Sequence, residues 1–377
     1  MRCRIRSVID LKRRARARWA SSISNQAQSR WALLSNKRLI RLSGPDAANF
    51  LHNIIPAKIL GVGTTPIYTV FLSAQGRILQ DVFIYPPSWE GEKKQEWLIE
   101  VDADSASDLF KHLKKHKLRA KFAMELVDDQ EAAVCLSKSS NITQGIRAGG
   151  NDPRPGMGTR LVLNHELQHT VRCRIDHDHD HDGQTDATPP TVDVPLEQYT
   201  IHRMLNGLAE GQKEIISGHA LPQECNIDFL GGIDFHKGCY LGQELTIRTH
   251  HTGVVRKRIL PCQIYDEKTA IPPKEEQNGP IYDEGVGSAV ALPPLESNIS
   301  KLTTTKRGRS TGKWLGGVAN IGLALCRLEM MTDIQLTAET TTATYSPDDE
   351  YHSLHRKERR KPGKQQQQLD DDDEELD

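Results

Sequence analysis

One short segment of the chain places a reactive side chain among glycines and charged residues. It reads Lys237-Gly238-Cys239-Tyr240-Leu241-Gly242-Gln243-Glu244. Glycines beside a cysteine allow close approach of a backbone or a ligand. A helix predicted over 240–250 would have Cys239 at its N-terminal end, where the helix dipole and Lys237 favour a thiolate. The segment therefore predicts a nucleophile or a metal ligand at Cys239, although a buried cysteine in a glycine-rich turn fits the same residues.

The rest of the predicted helix and the other cysteines limit this chemistry. Glu244, Arg248 and His251 share one helix face and would form a charged cluster near the thiol. The chain has seven cysteines and no C-x-x-C pair, which argues against a disulfide framework and a self-contained zinc site. We expect a reducing compartment and a structural role for the other six cysteines. These are Cys3, Cys135, Cys173, Cys225, Cys262 and Cys326.

The N-terminus differs sharply in charge from the chain as a whole, whose formal net charge is −1. Residues 1–30 contain nine lysines and arginines, several serines and one acid, Asp10. An arginine-rich, acid-poor stretch with interleaved apolar residues is typical of a mitochondrial transit peptide. A basic disordered arm or a nucleic-acid-binding tail has the same composition. We interpret it as a presequence directing the chain to the mitochondrial matrix, and exclude it from the predicted fold.

The order of apolar patterns predicts an α+β protein. Residues 67–72 and 78–85 are β-rich runs separated by a turn, which indicates a hairpin. Helical spacing of apolar residues follows Pro45 and recurs over 104–118 and 195–206. The remaining strands predicted in this half are 38–42, 97–101, 122–127 and 132–136.

The last part of the folded chain predicts a small β-barrel, because short β-like runs are separated by Pro, Gly and polar turns. These runs are 259–265, 287–292, 314–328 and 334–345, with a loose loop over 296–312. The predicted domains are a presequence (1–30), a first domain (31–257), a barrel (258–346) and a disordered charged tail (347–377). No apolar run reaches the length of a membrane span.

A low-complexity stretch interrupts the first domain at 176–190. It alternates Asp and His from Asp176 to Asp182, and both side chains are ligands for zinc or copper. Alternation alone fixes no coordination geometry, and Gly183 and the Pro189-Pro190 pair are typical of a loop. We interpret the stretch as a solvated insertion and keep weak metal binding as the alternative.

The segment 237–244 resembles the K-G-C-[FY]-x-G-Q-E signature of the YgfZ-type proteins, which are relatives of the aminomethyltransferases of the glycine cleavage system. The likeness extends over residues 33–345 and includes Arg203, Gly207 and the run Gly76-Arg77-Ile78-Leu79. With these segments and its basic N-terminus, the chain resembles the mitochondrial Iba-type iron–sulfur cluster assembly factors.

This resemblance implies a GcvT/YgfZ-like folate-binding fold followed by a C-terminal β-barrel, with tetrahydrofolate as a cofactor. It also implies work with A-type (Isa) carriers in the maturation of [4Fe-4S] proteins. Cys239 would contact a [2Fe-2S] or [4Fe-4S] cluster shared with that partner, because one cysteine cannot complete a cluster's ligand set. No nucleic-acid partner is expected. The residues expected to contact folate are Asp81, Arg203, Gln243, Glu244 and Arg248.

One departure from the family bears on enzymatic activity. The aminomethyltransferases have tandem acids in a G-G-[IV]-x-D-D pattern, and this chain has Gln80-Asp81. A glutamine has no titratable proton and cannot act as a general acid or base. We therefore predict no catalytic residue and favour an assembly factor. The alternatives are a tetrahydrofolate-dependent enzyme that uses the same fold, and an interaction protein whose cysteine is inert.

Overall fold

The computed structural model describes residues 2–5, 29–87, 96–127, 130–135, 146–164, 191–265, 280–283, 285, 292–301, 310–330, 335–338 and 341–344. The α-helices described are α1 (Ala47–Ile54), α2 (Ala106–Lys117), α3 (Leu196–Leu205) and α4 (Gln243–His251). The strands described are β1 (Arg2–Ile5), β2 (Ser29–Leu33), β3 (Lys37–Ser43), β4 (Ile67–Leu72), β5 (Ile78–Tyr85), β6 (Glu96–Asp102), β7 (Ala123–Val127), β8 (Gln130–Cys135), β9 (Ile146–Asn151), β10 (Thr159–Asn164), β11 (Thr191–Asp193), β12 (Lys257–Tyr265), β13 (Asn298–Lys301), β14 (Gly312–Val318), β15 (Ile321–Arg327), β16 (Gln335–Ala338) and β17 (Thr341–Thr344).

The first sheet is antiparallel, with strand order β4-β5-β6-β3-β7. The predicted hairpin, which is confirmed, is formed by β4 and β5 at one edge of this sheet. Both strands are rich in β-branched and aromatic residues, and Gly76 takes the positive φ of 77° that the turn requires. A register shift between Phe71 and Leu72 marks a β-bulge close to that turn. The predicted strands 38–42 and 97–101 and the helices α2 and α3 are also confirmed.

The two faces of this sheet pack against different layers, because alternate residues of each strand point to opposite sides. One face, which includes Val82 and Ile99, is covered by α1 and α2. The other, which includes Val70 and Phe83, packs against α3 and a second five-stranded sheet of order β11-β2-β8-β10-β9. Each residue of β5 is therefore assigned to one of two separate interiors.

The third sheet forms the C-terminal part, with strand order β1-β12-β15-β14-β13-β16-β17. The single run predicted over 314–328 was wrong, because a turn at Ala319 and Asn320 divides it into β14 and β15. Ala319 has a φ of 52°, so the chain reverses there although most of the surrounding residues are apolar. The loop predicted over 296–312 was wrong in part, since it contains β13, which pairs with β14.

The N-terminal segment is partly included in the fold. β1 pairs antiparallel with β12, with Arg2 opposite Tyr265, and β2 begins at Ser29, so the exclusion of 1–30 from the fold was wrong for 2–5 and 29–30. The transit-peptide interpretation itself stays a prediction. The Asp/His stretch 176–190, the tail 347–377 and most of the predicted strand 287–292 lie outside the described residues. Among the helices described, none combines the length and apolarity needed to cross a bilayer.

One hydrophobic core connects the first domain to the third sheet. It contains Met204 of α3 together with Ile259 and Leu323 of the third sheet. Polar contacts reinforce the same junction, because the Arg258 guanidinium makes two hydrogen bonds of 2.9 Å to the Asp228 carboxylate. The motif segment lies between α3 and β12 along the chain, so a packed interior flanks it at both ends.

Candidate functional site

The motif segment is fastened to the end of α1 by the Lys237 side chain. Its ammonium donates hydrogen bonds to the backbone carbonyls of His52, of Ile55 at 2.7 Å and of Ala57 at 3.2 Å. Carbonyls at a helix C-terminus lack partners within the helix, and cations are favoured there. Burial lowers the pKa of Lys237 to about 8, so at neutral pH it supplies one proton to each acceptor.

Backbone bonds hold the same segment on both sides of Lys237. The Asp234 N–H donates to the Pro56 carbonyl at 3.0 Å, and the Leu241 N–H donates to the Asn53 carbonyl at 3.1 Å. The Tyr240 N–H donates to the Gln243 side-chain oxygen at 3.2 Å, and the Tyr240 ring is buried below this loop. Residues 234–241 therefore form a loop, here called the cysteine loop, that is bound along its length to residues 52–57.

Two glycines bring the end of the motif segment, directly after the cysteine loop, against the β4–β5 hairpin. A Cβ at Gly242 would overlap the Ser73 carbonyl oxygen, and one at Gly76 would lie 2.8 Å from the Gly242 oxygen. Gly242 also has a φ of 78°, which disfavours any residue with a Cβ. The two family-like segments, the hairpin glycine and the cysteine motif, thus meet in direct backbone contact.

Cys239 is exposed at the outer side of this loop. The other cysteines whose side chains are described, Cys225, Cys262 and Cys326, are all buried. Burial raises the pKa of the Cys225 thiol, which keeps it protonated. Space is open beside Cys239 as well, because a Cβ on the exposed Gly238 would have no neighbour within 4 Å.

The predicted reason for thiolate stabilisation at Cys239 was wrong in two respects. Helix α4 begins at Gln243 rather than at Tyr240, and the dipole effect falls off within the first turn. The protons of Lys237 are donated to carbonyls of α1 and the residues after it, and not to the sulfur. The geometry provides access to the thiol and a fixed backbone instead.

Helix α4 presents the predicted polar residues to solvent. Glu244, Arg248 and His251 are exposed on it, but no ion pair joins Glu244 to Arg248 among the described residues. Sequence reasoning did not detect an aromatic contact next to them, in which the Phe235 and His250 rings stack with centroids 3.7 Å apart. This contact ties the start of the cysteine loop to the last turn of α4.

Asp81 and Arg203 lie elsewhere, in the interior behind the hairpin. Asp81 accepts hydrogen bonds from the Gly211 N–H, and burial raises its pKa to about 7 against the opposing effect of Lys37. Arg203 makes two hydrogen bonds of 2.6 Å to Glu214. The predicted site residues therefore form two groups, Asp81 with Arg203 in the interior and the others on or beside α4.

Buried charges that sequence reasoning missed surround Asp81 and Arg203. Arg154 pairs with Asp152 and Glu210, and Arg160 pairs with Glu100, all of them buried. The only local sequence feature that set Arg160 apart was its position beside a run of apolar residues. Such groups need partners when buried, and here each guanidinium has a carboxylate.

The polar groups of this interior fit a folate only in part. Val70 and Asp81 are opposite each other on the face shared with Phe83, whereas Gln80 pairs with Phe71 on the helix-covered face. Asp81 is thus the residue of the pair that faces the layer of Arg203. The Tyr68 hydroxyl on that face is buried without a hydrogen-bond partner among the described residues, and so can bond to a ligand.

Comparisons with known proteins agree with this architecture. Residues 256–351 match the family model described as the CAF17 C-terminal beta-barrel domain. The glycine cleavage system aminomethyltransferase T of Bartonella henselae has a similar fold, with a TM-score of 0.61 and 12% identity over 85% of this chain and 86% of that one. The predicted fold class, an aminomethyltransferase-like α+β fold with a C-terminal barrel, is confirmed.

Relatives found by sequence share a much higher identity with this chain than the structural neighbour does. A mitochondrial iron–sulfur cluster assembly factor IBA57 homolog of Pyricularia oryzae is 48% identical over 84% of this chain and 77% of its own length. The homolog of the same name from Neosartorya fischeri is 45% identical over 87% of this chain and 76% of its own length. The predicted family is confirmed: the chain belongs to the mitochondrial IBA57 family of iron–sulfur cluster assembly factors.

Proposed function

We propose that this mitochondrial protein assists iron–sulfur cluster assembly by offering Cys239 as a ligand to a cluster held by an A-type (Isa) carrier during maturation of [4Fe-4S] proteins. One observation carries the proposal. Cys239 is the exposed thiol among the cysteines whose side chains are described, and its loop is bound to residues 52–57 by side-chain and backbone hydrogen bonds.

Ligand exchange is the chemistry that this arrangement supports. The Cys239 thiol gives its proton to solvent as its sulfur bonds to iron, and one ligand of the carrier leaves. Iron does not change oxidation state in this step. Four cysteine-type ligands are usual for a [2Fe-2S] or [4Fe-4S] cluster, so the carrier retains the other positions. The cluster is cargo that passes through this site.

Anaerobic reconstitution with a purified A-type carrier tests the proposal. Wild-type protein should form a heterocomplex with shared cluster absorbance, and Cys239→Ser should lose both the complex and the absorbance. Cys225→Ala is the matched control, since it removes a thiol that is buried away from the loop. Circular dichroism confirms that both variants are folded. Identical spectra for wild type and Cys239→Ser would refute the proposal.

Tetrahydrofolate binding is the second candidate function. It is favoured by the buried Tyr68 hydroxyl, which has no hydrogen-bond partner among the described residues and lies on the same sheet face as Asp81. When bound, the folate would supply one-carbon chemistry. Asp81 and Tyr68 would hold it by hydrogen bonds, whereas Arg203 is occupied by Glu214. Calorimetric titration with tetrahydrofolate distinguishes the candidates, because Tyr68→Phe would weaken folate binding and leave the thiol-dependent complex unchanged.

A further inference from the structure

The turn that ends α2 holds an apolar side chain in a conformation that suits glycine. Leu118 has a φ of 47° and a ψ of −114°, and the Ala120 N–H donates to the Lys117 carbonyl at 2.9 Å. These are the features of a type II′ turn with Leu118 at its first central position, which glycine dominates. A leucine there strains the folded backbone.

The Leu118 side chain makes no compensating contact within the described part of the fold. It is 88% exposed, the highest value among the large exposed apolar residues described. Burying it would be favourable, yet nothing described in this chain covers it. The residue therefore lowers stability through its backbone and gains nothing from packing against the described residues, which points to a role outside the chain.

Positive charges flank this leucine along the chain on both sides. Lys114, Lys115, Arg119 and Lys121 are exposed, and none of them forms an ion pair with a described residue. One acid contacts this segment through the backbone, because the Asp46 carboxylate accepts the Lys121 N–H at 2.7 Å. We name these four cations and Leu118 the basic turn.

The helix dipole explains part of this charge but not the whole cluster. Lysines in the last turn of a helix stabilise its C-terminus, which accounts for Lys114 and Lys115. Arg119 and Lys121 lie beyond the helix, and a dipole gives no reason for an exposed leucine among them. All five residues are explained by a partner that carries negative charge and can also bury one protruding apolar side chain.

We propose that the basic turn is a docking surface for an anionic lipid membrane. A bilayer interface attracts lysine and arginine through anionic headgroups and takes up an apolar side chain just beneath them. Lysine is depleted from the cores of protein–protein interfaces, and one convex leucine is far less than the apolar area such an interface buries. A nucleic acid would use the cations and leave Leu118 unburied.

Vesicle binding by the full chain tests the proposal. Vesicles of about one-third phosphatidylglycerol in phosphatidylcholine should bind the wild type, and Leu118→Gly should weaken that binding about tenfold. The triple variant Lys114→Gln/Lys115→Gln/Arg119→Gln should weaken it about 100-fold. Leu118→Gly should at the same time raise the urea midpoint, because glycine relieves the strained turn.

Matched controls use exposed residues outside the basic turn. Val254→Gly removes an exposed apolar side chain, as Leu118→Gly does. The triple variant Lys58→Gln/Lys213→Gln/Lys313→Gln removes three charges from exposed lysines elsewhere on the chain. Both controls should bind the vesicles within about twofold of the wild type. A loss in the control triple equal to that in the basic-turn triple would show that only net charge matters, and would overturn the proposal.

A second readout reports on residue 118 itself, because the arginine-rich N-terminus is common to all variants and could bind lipid independently. The chain's own five tryptophans set the baseline in the wild type. Above that baseline, Leu118→Trp should show added quenching by brominated lipid, whereas Val254→Trp should not. Equal quenching at both positions would overturn the proposal. So would equal binding to pure phosphatidylcholine, or a lower urea midpoint in Leu118→Gly.

Discussion

At the scale of single residues, the cysteine loop depends on one ammonium group. Lys237 reaches backbone carbonyls of residues 52, 55 and 57, and its three protons match these three acceptors. Its role is thus to position Cys239 and not to activate it. An arginine could not replace it well, because a planar guanidinium does not suit acceptors that converge on one point.

Replacing Lys237 with methionine should loosen the cysteine loop without unfolding the protein. Lys237→Met keeps the apolar stem and removes the hydrogen bonds, so we expect a loss of about 1–3 kcal/mol in the free energy of unfolding. The Leu241 amide should exchange hydrogen roughly tenfold faster or more. Urea unfolding and hydrogen-exchange mass spectrometry of residues 234–241 measure these effects.

Lys58→Met is the matched control, since Lys58 is exposed on the adjacent segment. It should leave the exchange of residues 234–241 unchanged. Unaltered protection of the loop in Lys237→Met would show that the backbone bonds from Asp234 and Leu241 suffice to hold it.

At the scale of elements, the site forms where a hairpin and a loop share a glycine–glycine contact. Each element was predictable by itself, because the β-rich runs of the hairpin and the glycine spacing of the motif are local patterns. Their contact was not, since Gly76 and Gly242 are remote in sequence and nothing local records their approach. The start of α4 was misplaced for a similar reason, because the positive φ of Gly242 is set by this contact.

The two glycines of the motif should respond very differently to an added methyl group. Gly242→Ala would place a Cβ against the Ser73 oxygen at a φ of 78°, so we expect a loss of about 2–4 kcal/mol in stability. Gly238→Ala points into open space and should change stability by less than about 0.5 kcal/mol. Urea unfolding of both variants checks this, and equal effects would contradict the described contact.

At the scale of the whole molecule, a layer of buried charge lies between the first and second sheets. Its guanidinium groups each have a carboxylate partner, but Asp81 is held by the Gly211 N–H and attracted by Lys37 while its pKa stays near 7. The sequence indicated Asp81 and Arg203 only through the family resemblance. Arg154 and Arg160 had no such signal, because a charged residue is predicted to be exposed unless its partners are known.

Asp81 should make stability fall as the pH rises. Its pKa is about 7 in the folded protein and near 3.8 when unfolded, so between these values the folded state binds more protons. Stability contributed by the protonated form is present at low pH and lost as the pH approaches 7. Asp81→Asn removes this term, which we expect to be roughly 2–4 kcal/mol between pH 4 and pH 8.

The measurement is the difference in unfolding free energy between wild type and Asp81→Asn across that range. His112 and His202, whose pKa values burial lowers to about 4, contribute with the opposite sign but cancel in the difference. Asp104→Asn, at an exposed acid, is the control and should give a profile parallel to that of the wild type. A parallel profile for Asp81→Asn would mean that Lys37 keeps the carboxylate ionised throughout.

The hydrogen bonds from Lys237 that hold the cysteine loop have an evolutionary consequence. Lys237 bonds to main-chain oxygens, which every amino acid provides. These hydrogen bonds therefore place no constraint on which side chains occupy positions 52, 55 and 57. Among many descendants of this chain, position 237 would then stay lysine while no second position varied in step with it. Methods that infer contacts from paired substitutions would miss this anchor.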